Sequence, residues 1–399
     1  MENYIVENKN INIGILCYDL SPASAGIINK ISKFDDFYIK IFPLFNSSCN
    51  YINKKKNISI YESSVFPKKI SIRFNKKRIP EVHWINLRLN LVYKIVNTSD
   101  VISLIGLQGI PSLFTVIYAY FKKKPTISIV QMMLPHAENK RYKIIKLLKK
   151  IIFRYSRHIV AQSESTMITL DQIYHVPKNK ITYIQWDGSG SEFLSHLNKY
   201  NYLSRSEIRK ELKWPEEDIV ILYVGSLFYL KGVDILIKAF SLISKDNNSF
   251  SLVIVGEKGD IVEDLINMTK LLNVEKKVNF LGRKNWDELA KIYLSSDIFI
   301  LPSRKDVFPK VLVEAALAGL PLVTTDVCGG AGAIVKDGEN GYVIKSNDPS
   351  DLANAIIRLK DENKRIIFGK KSKKIALELL HKENPQFYKN IILKALGQV

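Results

Sequence analysis

Two carboxylates, Asp306 and Glu314, lie eight positions apart, the first before a predicted helix and the second inside it. Gly319 ends that helix. The backbone N–H groups of Lys310 and Val311 fall in its first turn, where they can bind hydroxyl or phosphate oxygens. Carboxylate oxygens accept hydrogen bonds from sugar hydroxyls. The spacing therefore predicts a site for a ligand that carries both hydroxyl and phosphate groups.

An ordinary structural interpretation of these carboxylates stays open. Asp306 could cap the helix, and Glu314 could lie on the surface. Glu314 is, however, flanked by apolar residues on both sides (VLVEAAL), which favours a buried or cleft-facing carboxylate. Such a group needs a partner, because an isolated buried charge is costly.

A lysine near a second predicted strand end offers a positive charge. The apolar run Ile219–Val224 ends at Gly225, and Lys231 with Gly232 precedes another helix. Strand, glycine turn and helix start form a site for anions, because N–H groups and the helix dipole face the ligand. The alternative is a plain strand–helix turn with a solvated lysine.

Alternating elements must position these residues. Continuous apolar runs that alternate with amphipathic helices favour parallel α/β sheets covered on both faces. The predicted strands are Asn12–Tyr18, Thr126–Val130, His158–Ala161, Ile219–Val224, Leu252–Val255, Val278–Leu281, Ile298–Leu301 and Leu320–Thr324. A new series opens near Trp214, so two Rossmann-like halves are expected. Residues 188–193 (GSGSEF) begin like a dinucleotide motif but lack its third glycine, and a loop is expected there.

Composition excludes several classes of protein. The 399 residues are 46% hydrophobic and 25% charged, which is typical of a globular chain. Three scattered cysteines favour a reducing compartment, and no signal peptide is recognised at the start. No P-loop or close histidine pair appears, so nucleotide hydrolysis at a P-loop and a histidine-bound metal are not expected.

The net charge of +20 is unevenly distributed. Residues 1–200 carry 29 basic and 13 acidic side chains, residues 201–350 carry 19 and 21, and residues 351–399 carry 11 and 5. The basic excess therefore belongs to the two ends of the chain. An anionic partner is expected there and not in the middle.

One uncharged segment, Val101–Phe121, approaches the length of a membrane span. Gly106, Gly109 and Pro111 interrupt it. A strand, a turn and a helix that ends near Lys122 explain its residues better than a single spanning helix.

A series of short motifs follows in a fixed order along the second half of the chain: Val224-Gly225-Ser226, Lys231-Gly232, Val278–Gly282, Ser296-Asp297-Ile298, Leu301-Pro302-Ser303, Asp306 with Glu314, Asp326, Gly329-Gly330, Asp337-Gly338 and Asn340-Gly341. With these motifs the chain resembles the retaining GT-B glycosyltransferases of glycosyltransferase family 4, and the likeness covers about residues 220–345. The resemblance implies an α/β GT-B fold, with two Rossmann-like domains whose parallel sheets face each other across a cleft. Residues 1–200, joined by a C-terminal helix at about 380–399, would bind the acceptor. Residues 201–379 would bind a nucleotide-sugar donor.

The resemblance also implies roles for single residues. Lys231 would contact the donor diphosphate, Glu314 the ribose hydroxyls and Asp306 the hydroxyls of the transferred sugar. Backbone groups of Phe308, Pro309, Lys310 and Val311 would hold sugar and phosphate. Gly225 and Ser226 would line the diphosphate, Gly282 and Arg283 would border the base, and Gly26, in the loop after the first strand, would approach the phosphates.

Some positions depart from the family pattern. Ser226 stands where a second diphosphate-binding arginine is usual. Losing that cation would weaken transition-state binding unless another replaces it, and Arg304 and Lys305 are candidates. The remaining departures are a shorter acid and the replacement of two glycines, at Asp306, Val307 and Pro309.

The implied chemistry is transfer with retention at the anomeric carbon, without a metal or cofactor. A nucleotide sugar already has a good leaving group, so stabilising charge at the diphosphate and placing the acceptor matter most. His136, in QMMLPHAENK, is a candidate for contacting acceptor or sugar, and a loop histidine without a role is the alternative.

The basic N-terminal half suggests a membrane surface. Lys140–His158 reads as an amphipathic helix rich in lysine, which fits an anionic membrane. An ordinary packed helix with a solvated face fits equally well. No nucleic-acid-binding motif appears.

These features predict a cytoplasmic hexosyltransferase, peripheral on the inner face of the cell membrane. Its acceptor would be a lipid-linked sugar or a growing surface glycan, such as lipopolysaccharide or capsule. A sugar-nucleotide epimerase of the same fold, and a non-catalytic membrane- or polyanion-binding relative, remain alternatives.

Overall fold

The computed structural model describes residues 10–17, 22–44, 56–61, 89–106, 109–132, 140–184, 190–244, 249–256, 261–307, 309–381 and 385–398. The chain divides into two units. The first comprises residues up to 188 together with 383–399, and the second comprises residues 189–382.

The first unit is built on a seven-stranded parallel sheet with the order β3-β2-β1-β4-β5-β6-β7. Its strands are β1 (Ile11–Cys17), β2 (Phe37–Pro43), β3 (Ile58–Ile60), β4 (Val101–Ile105), β5 (Thr126–Val130), β6 (His158–Ala161) and β7 (Ile181–Tyr183). Its α-helices are α1 (Pro22–Ile31), α2 (Leu89–Thr98), α3 (Ile110–Phe121), α4 (Lys140–Tyr155), α5 (Glu164–Gln172) and α14 (Pro385–Leu396), and a short 3₁₀ helix spans Lys178–Lys180.

Both faces of this sheet are covered. On one face, α1 and the C-terminal helix α14 pack on each other, α14 also contacts β4 and β5, and Tyr388, Ile391 and Ile392 of α14 are buried there. On the other face, α2, α3 and α4 contribute the buried side chains of Ile95 and Ile152, among others. Helices on both faces explain why the central strands are apolar along their whole length.

The second unit carries a six-stranded parallel sheet with the order β10-β9-β8-β11-β12-β13. Its strands are β8 (Ile219–Val224), β9 (Phe250–Val255), β10 (Val278–Gly282), β11 (Ile298–Leu301), β12 (Leu322–Thr325) and β13 (Gly341–Ile344). Its α-helices are α6 (Gly190–Asn198), α7 (Arg205–Leu212), α8 (Val233–Ser244), α9 (Val262–Leu271), α10 (Trp286–Ser295), α11 (Lys310–Leu317), α12 (Pro349–Arg358) and α13 (Glu362–His381), with 3₁₀ helices at Tyr229–Lys231 and Glu275–Lys277.

The strand order of the second sheet changes direction between β8 and β11, which lie side by side. From β8 the chain moves outward through β9 and β10, and from β11 it moves the other way through β12 and β13. In open parallel sheets, ligands bind outside the carboxyl ends of the strands at this switch point. The loops after β8 and β11 are therefore the expected place for a site.

Residues 190–193 are helical, so the expectation of a loop at residues 188–193 is wrong for this part of the segment. They form the start of α6, in which Phe193 and Leu197 are buried one helical turn apart. The Phe193 ring packs against the rings of Trp286 and Tyr293 on α10. Because α6 packs on α10 and α11, it belongs to the second unit, and the structural division falls at residue 188 where the sequence placed a boundary at 200.

The uncharged segment Val101–Phe121 forms strand β4, a turn at Gly109 and helix α3, as predicted. Pro111 occupies the first turn of α3, where a missing N–H costs nothing. Among the described residues, no helix combines the length and apolarity that a bilayer span requires.

Candidate functional site

A glycine fixes the turn that carries Lys231, beyond the carboxyl end of β8 in the second sheet. The chain leaves β8, forms the 3₁₀ turn Tyr229–Lys231 and reaches Gly232 at φ +71°, a left-handed conformation. A Cβ on Gly232 would lie 2.0 Å from the carbonyl oxygen of Pro302. Only glycine combines this conformation with so close an approach. The turn thereby packs directly on the segment that follows β11.

Asp306 lies on that neighbouring segment and binds Lys231. The Lys231 Nζ is 2.5 Å from Asp306 Oδ2, and the side chains are 28% and 12% exposed. The carbonyl of Asp306 accepts a hydrogen bond of 2.9 Å from the Gly329 N–H. A Cβ on Gly329 would lie 1.6 Å from the Val307 carbonyl oxygen, so glycine is needed here as well. A charged pair, partly open to solvent, thus lies at the switch point.

Asp306 does not cap the following helix, so the capping interpretation of this residue is wrong. Pro309 occupies the cap position of α11, and no side chain caps the helix there. Lys310 and Val311 form the first turn of α11, close in sequence to the Lys231–Asp306 pair. Phe308 lies outside the described residues.

Glu314 lies on α11 and accepts a hydrogen bond of 3.1 Å from the Tyr293 hydroxyl. The residue keeps some solvent contact, but enough protein surrounds its carboxylate that burial raises the pKa of Glu314 above its usual range. The hydrogen bond from Tyr293 and the charge of Lys310 oppose that rise. Burial, together with the nearby Glu314, raises the pKa of Tyr293, so this phenol stays a donor.

Arg304 is bound to other protein groups, which argues against its role as the replacement cation. Its guanidinium donates two hydrogen bonds of 2.7 Å to the two carboxylate oxygens of Asp234 and another of 2.6 Å to the Tyr229 carbonyl. It also stacks on the Tyr229 ring at 3.9 Å and binds the side chain of Asn347. Lys305 is exposed and remains a candidate.

The ends of three strands are joined through glycines. The Gly225 N–H donates to the Val255 carbonyl, and the Gly256 N–H donates to the Gly282 carbonyl at 3.0 Å. A Cβ on Gly256 would lie 1.8 Å from the Gly225 carbonyl oxygen. Gly282, with Arg283 beside it, is exposed at the end of the edge strand β10.

Ser226 lies beside a buried tyrosine. The Tyr223 hydroxyl donates 2.9 Å to the Ser226 carbonyl, and burial, followed by the charge of Asp306, raises the pKa of Tyr223. Each predicted residue of the second unit ends a strand or belongs to the loop or helix that follows β8, β10 or β11 (Gly225, Ser226, Lys231, Gly282, Arg283, Asp306, Pro309, Lys310, Val311 and Glu314).

The two remaining predicted residues belong to the first unit. Gly26 was expected in a loop after β1, and this expectation is wrong, because α1 begins at Pro22 and includes Gly26. Proline in the first turn and two alanines favour that helix. His136 lies outside the described residues.

Some residues at the site were not singled out from the sequence. Asp234, Tyr293 and Gly256 gain their importance through contacts that are distant along the chain, and Arg304, expected only as a replacement cation, makes such contacts too. The backbone of Cys328 forms an isolated parallel β-bridge with that of Asp306, and burial raises the pKa of the Cys328 thiol to about 11. Among the described residues, no three side chains that commonly bind metals cluster closely enough to hold an ion.

Residues 204–375 match the family described as "Glycosyl transferases group 1". An uncharacterized glycosyltransferase of Methanocaldococcus jannaschii is 33% identical over 207 residues, which cover 51% of each chain. The capsular polysaccharide biosynthesis glycosyltransferase CapM of Staphylococcus aureus is 25% identical over 264 residues, covering 65% of this chain and 68% of CapM. The match thus spans about half the length of the first of these relatives.

Solved structures resemble the chain over nearly its whole length. HepE of Anabaena, in complex with UDP and glucose, superposes with a TM-score of 0.72 at 18% identity and covers 96% of this chain and 99% of HepE. WaaG, a glycosyltransferase involved in lipopolysaccharide biosynthesis, gives a TM-score of 0.69 at 16% identity, with coverage of 95% and 99%. The chain therefore has the α/β GT-B fold of two Rossmann-like domains, and most of its second domain matches the glycosyl transferases group 1.

Proposed function

We propose that this protein is a retaining glycosyltransferase, a hexosyltransferase that moves a sugar from a nucleotide donor to a glycan or lipid-linked acceptor. The observation that carries the proposal is the Lys231–Asp306 pair, which lies at the switch point of the second sheet and inside the region that matches the family. HepE binds UDP and UDP-glucose, which supports a uridine nucleotide as the first donor to test.

In the proposed reaction, the bond between the anomeric carbon and the donor diphosphate breaks, and its electron pair stays on the diphosphate oxygen. The acceptor hydroxyl forms the new bond and gives its proton to the departing diphosphate. Lys231 turns from Asp306 to the diphosphate and stabilises the charge that develops there, the kind of electrostatic contribution that is worth about 2.7–4 kcal/mol when a single donor is removed. No step needs a protein nucleophile.

The acidic residues would bind hydroxyl groups. Asp306, released from Lys231, accepts hydrogen bonds from the transferred sugar, and Glu314 accepts them from the ribose. The first turn of α11, at Lys310 and Val311, contributes N–H groups and the positive end of a helix dipole to the phosphate and sugar. Gly225 and Ser226 would line the diphosphate, and Gly282 and Arg283 the base. Contributions of Gly26, Phe308 and His136 stay predictions.

The acceptor side is proposed to dock on an anionic membrane. Helices α3 and α4 pack side by side and expose large apolar groups, with Phe121 76%, Ile144 62% and Leu147 60% exposed. Ile152 and Phe153, near the end of α4, are buried instead. The helix therefore uses only part of its apolar surface for packing.

Lysines surround these exposed groups, at Lys122, Lys123, Lys143, Lys146 and Lys150. We call this set, with Phe121, Ile144 and Leu147, the α3–α4 surface. Each basic residue near anionic headgroups contributes about 1 kcal/mol, and the exposed side chains add apolar insertion. A peripheral enzyme on the cytoplasmic face that uses a membrane-held acceptor fits this surface, and CapM, named for capsular polysaccharide biosynthesis, supports the choice of a surface glycan.

A donor panel tests the enzymatic proposal. The purified protein is incubated with UDP-, GDP- and ADP-linked hexoses and a bacterial lipid extract, and release of the nucleoside diphosphate is measured. One donor should be turned over, and Lys231→Met and Glu314→Ala should lose the activity. Equal turnover by these variants and the unmodified protein would show that the site lies elsewhere.

Vesicle co-sedimentation tests the docking surface separately. Binding should require phosphatidylglycerol, fall as salt increases because exposed charges are screened, and fall with Ile144→Ser and Leu147→Ser. Leu271→Ser is the matched control, since Leu271 is an exposed leucine of the second unit. Equal binding to neutral phosphatidylcholine vesicles contradicts the electrostatic part of the proposal.

A further inference from the structure

The second unit contains a cavity whose walls include none of the carboxylates and cations assigned to the donor. It lies among α6, α7 and the first half of α10 and has a volume of about 530 Å³. Aromatic and charged side chains dominate its walls, chiefly His196, Tyr200, Glu211, Trp214, Trp286 and Lys291. Lys231, Asp306 and Glu314 do not line it.

One wall is fixed by an ion pair over an aromatic ring. The Lys291 Nζ donates 2.5 Å to Glu211 Oε1, and the same ammonium lies 5.0 Å from the centre of the Tyr200 ring. The hydrogen bond to Glu211 raises the pKa of Lys291, so the ammonium stays charged. A carboxylate has about four acceptor positions, and one hydrogen bond leaves Glu211 able to accept others.

A second carboxylate, one helical turn before Lys291 on α10, is also held in place. Asp287 Oδ1 lies 2.7 Å from His196 Nδ1 and accepts a hydrogen bond of 2.9 Å from Lys199 Nζ. These contacts lower the pKa of Asp287. The His196 ring packs edge-on against Trp286 at 5.3 Å.

The start of α10 is also rigid. Asn285 and Glu288 form a reciprocal capping box, in which each side chain binds the backbone N–H of the other residue. The aromatic and acidic groups of this wall therefore belong to a helix whose first turn is locked before any ligand arrives, and ordering entropy is correspondingly small.

The balance of charge selects the class of ligand. Three carboxylates, at Glu211, Asp287 and Glu288, face two ammonium groups, at Lys284 and Lys291. Such a lining has no cationic excess to hold a phosphate, and its carboxylates repel anionic headgroups. Charged hydrogen-bonding groups beside three aromatic rings instead suit a neutral ligand with many hydroxyls and an apolar ring face.

We propose that this cavity is a second saccharide-binding site, which holds a neutral stretch of an oligosaccharide outside the donor site. Tyr200, Trp214 and Trp286 supply ring surface for the C–H face of a sugar. Glu211 and Asp287 accept hydrogen bonds from sugar hydroxyls. The inference goes beyond the proposed transfer reaction, because binding here requires neither the donor nor turnover.

Tryptophan fluorescence provides a direct test, because two of the four tryptophans, Trp214 and Trp286, line the cavity. Maltohexaose, cellohexaose and chitohexaose are titrated into the intact protein in the presence of saturating UDP. At least one should change the fluorescence with a Kd of about 1 mM or below, which corresponds to a binding free energy near −4 kcal/mol. Saturation-transfer NMR on the same mixtures reports the contact from the ligand side.

Variants assign the signal to the cavity. Glu211→Gln and Lys291→Met should each weaken binding at least tenfold, and Trp214→Phe, a milder change, should reduce the fluorescence response. Glu275→Gln is the matched control, since Glu275 is an exposed carboxylate on the 3₁₀ helix before β10. Circular dichroism melting checks that each variant is folded.

Three outcomes overturn the proposal. They are the absence of binding by all three oligosaccharides, full competition by UDP, and binding that Lys231→Met abolishes while Glu211→Gln leaves it intact. The last two would assign the sugar to the donor site. A protein that binds the oligosaccharide but turns over no nucleotide sugar would keep this site and refute the transfer reaction, so the two proposals fail separately.

Discussion

Lys231 and Asp306 form an ion pair of 2.5 Å between the loops that follow β8 and β11, the two strands at the switch point of the second sheet. In this arrangement the carboxylate neutralises the cation that the proposed mechanism assigns to the diphosphate. Donor binding must therefore exchange one anionic partner of Lys231 for another.

Asp306→Asn should separate nucleotide binding from catalysis. Removing the competing carboxylate leaves Lys231 to the diphosphate, so UDP affinity should rise about three- to tenfold. Turnover of the nucleotide sugar should fall, because an amide binds a sugar hydroxyl less strongly than a carboxylate does. Calorimetric titration with UDP and a steady-state assay measure the two effects.

Asp264→Asn is the matched control, an exposed aspartate in the first turn of α9. It should leave both quantities unchanged. Lys231→Met should lower UDP affinity and reduce kcat by about 10²–10³. If Asp306→Asn instead weakens UDP binding as much as Lys231→Met does, the carboxylate does not compete with the nucleotide.

Arg304 and Asp234 supply a second prediction, which distinguishes a structural arginine from a phosphate-binding one. Arg304 and Asp234 form a bidentate ion pair that is largely buried, and this pair connects the segment after β11 to the first turn of α8. Arg304→Met and Asp234→Asn should each lower the melting temperature and reduce UDP affinity by about tenfold, because both release the Tyr229–Lys231 turn. The double variant should cost little more than either single variant, as expected for residues that act as a pair.

If Arg304 instead contacted the diphosphate directly, the change in UDP affinity would have the opposite sign for Asp234→Asn. Asp234→Asn would then free the guanidinium, and UDP affinity would increase. Arg304→Lys should rescue only poorly in the structural case, since an ammonium cannot bind both carboxylate oxygens in the same planar geometry.

Gly232 tests how much the close approach behind Lys231 matters. Gly232→Ala introduces both a strained φ and a contact of 2.0 Å with the Pro302 carbonyl oxygen. Gly338→Ala is the matched control, since its φ is +73° but no atom lies within 4 Å of the added Cβ. The control should cost about 1 kcal/mol of unfolding free energy, which is the strain alone.

Gly232→Ala should cost clearly more than the control, and it should also lower UDP affinity because the turn that carries Lys231 must shift. Urea denaturation and UDP titration measure these effects. Equal destabilisation by the two substitutions would mean that the loops separate at little cost.

The sequence was most informative where one short segment decides the structure. The continuous apolar runs of β5, β6, β8 and β11 predicted those strands at their observed bounds, because burial on both faces leaves an unbroken apolar signature. Four strands, β2, β3, β7 and β13, were not predicted. Lys40 interrupts β2, β3 and β7 are only three residues long, and β13 begins at a glycine and has only three apolar residues.

Contacts distant along the chain could not be predicted from one sequence. The guanidinium of Arg209 binds Asp297, 88 positions away, and both side chains are buried. The His196–Asp287 contact spans 91 positions. The sequence around these residues does not identify their partners, because charged residues of both signs are spread throughout the second unit. The carboxylates of the proposed donor site could be singled out because a helix start and its spacing mark them, whereas the cavity beside α10 has no such local pattern.

Glu314 gives a prediction in which stability and function oppose each other. Burial raises its pKa in the folded protein above the value in the unfolded chain, so folding favours the neutral form. The stability that this group contributes is complete below the unfolded pKa, near 4.3, and is lost as the pH rises through the folded pKa. Glu314→Gln imitates the neutral form at every pH and can still accept the hydrogen bond from Tyr293. At pH 8 it should melt roughly 1 to 3 °C above the unmodified protein, and this difference should shrink toward pH 5. UDP affinity should fall about tenfold at the same time, because ribose hydroxyls lose a charged acceptor.

Glu378→Gln, on the exposed side of α13, is the control for removing a glutamate charge and should show neither effect. A melting difference that is absent at pH 8, or that does not change with pH, would mean that the carboxylate is not destabilised in the folded protein, and burial would then not be the reason why Glu314 is held ready for a ligand.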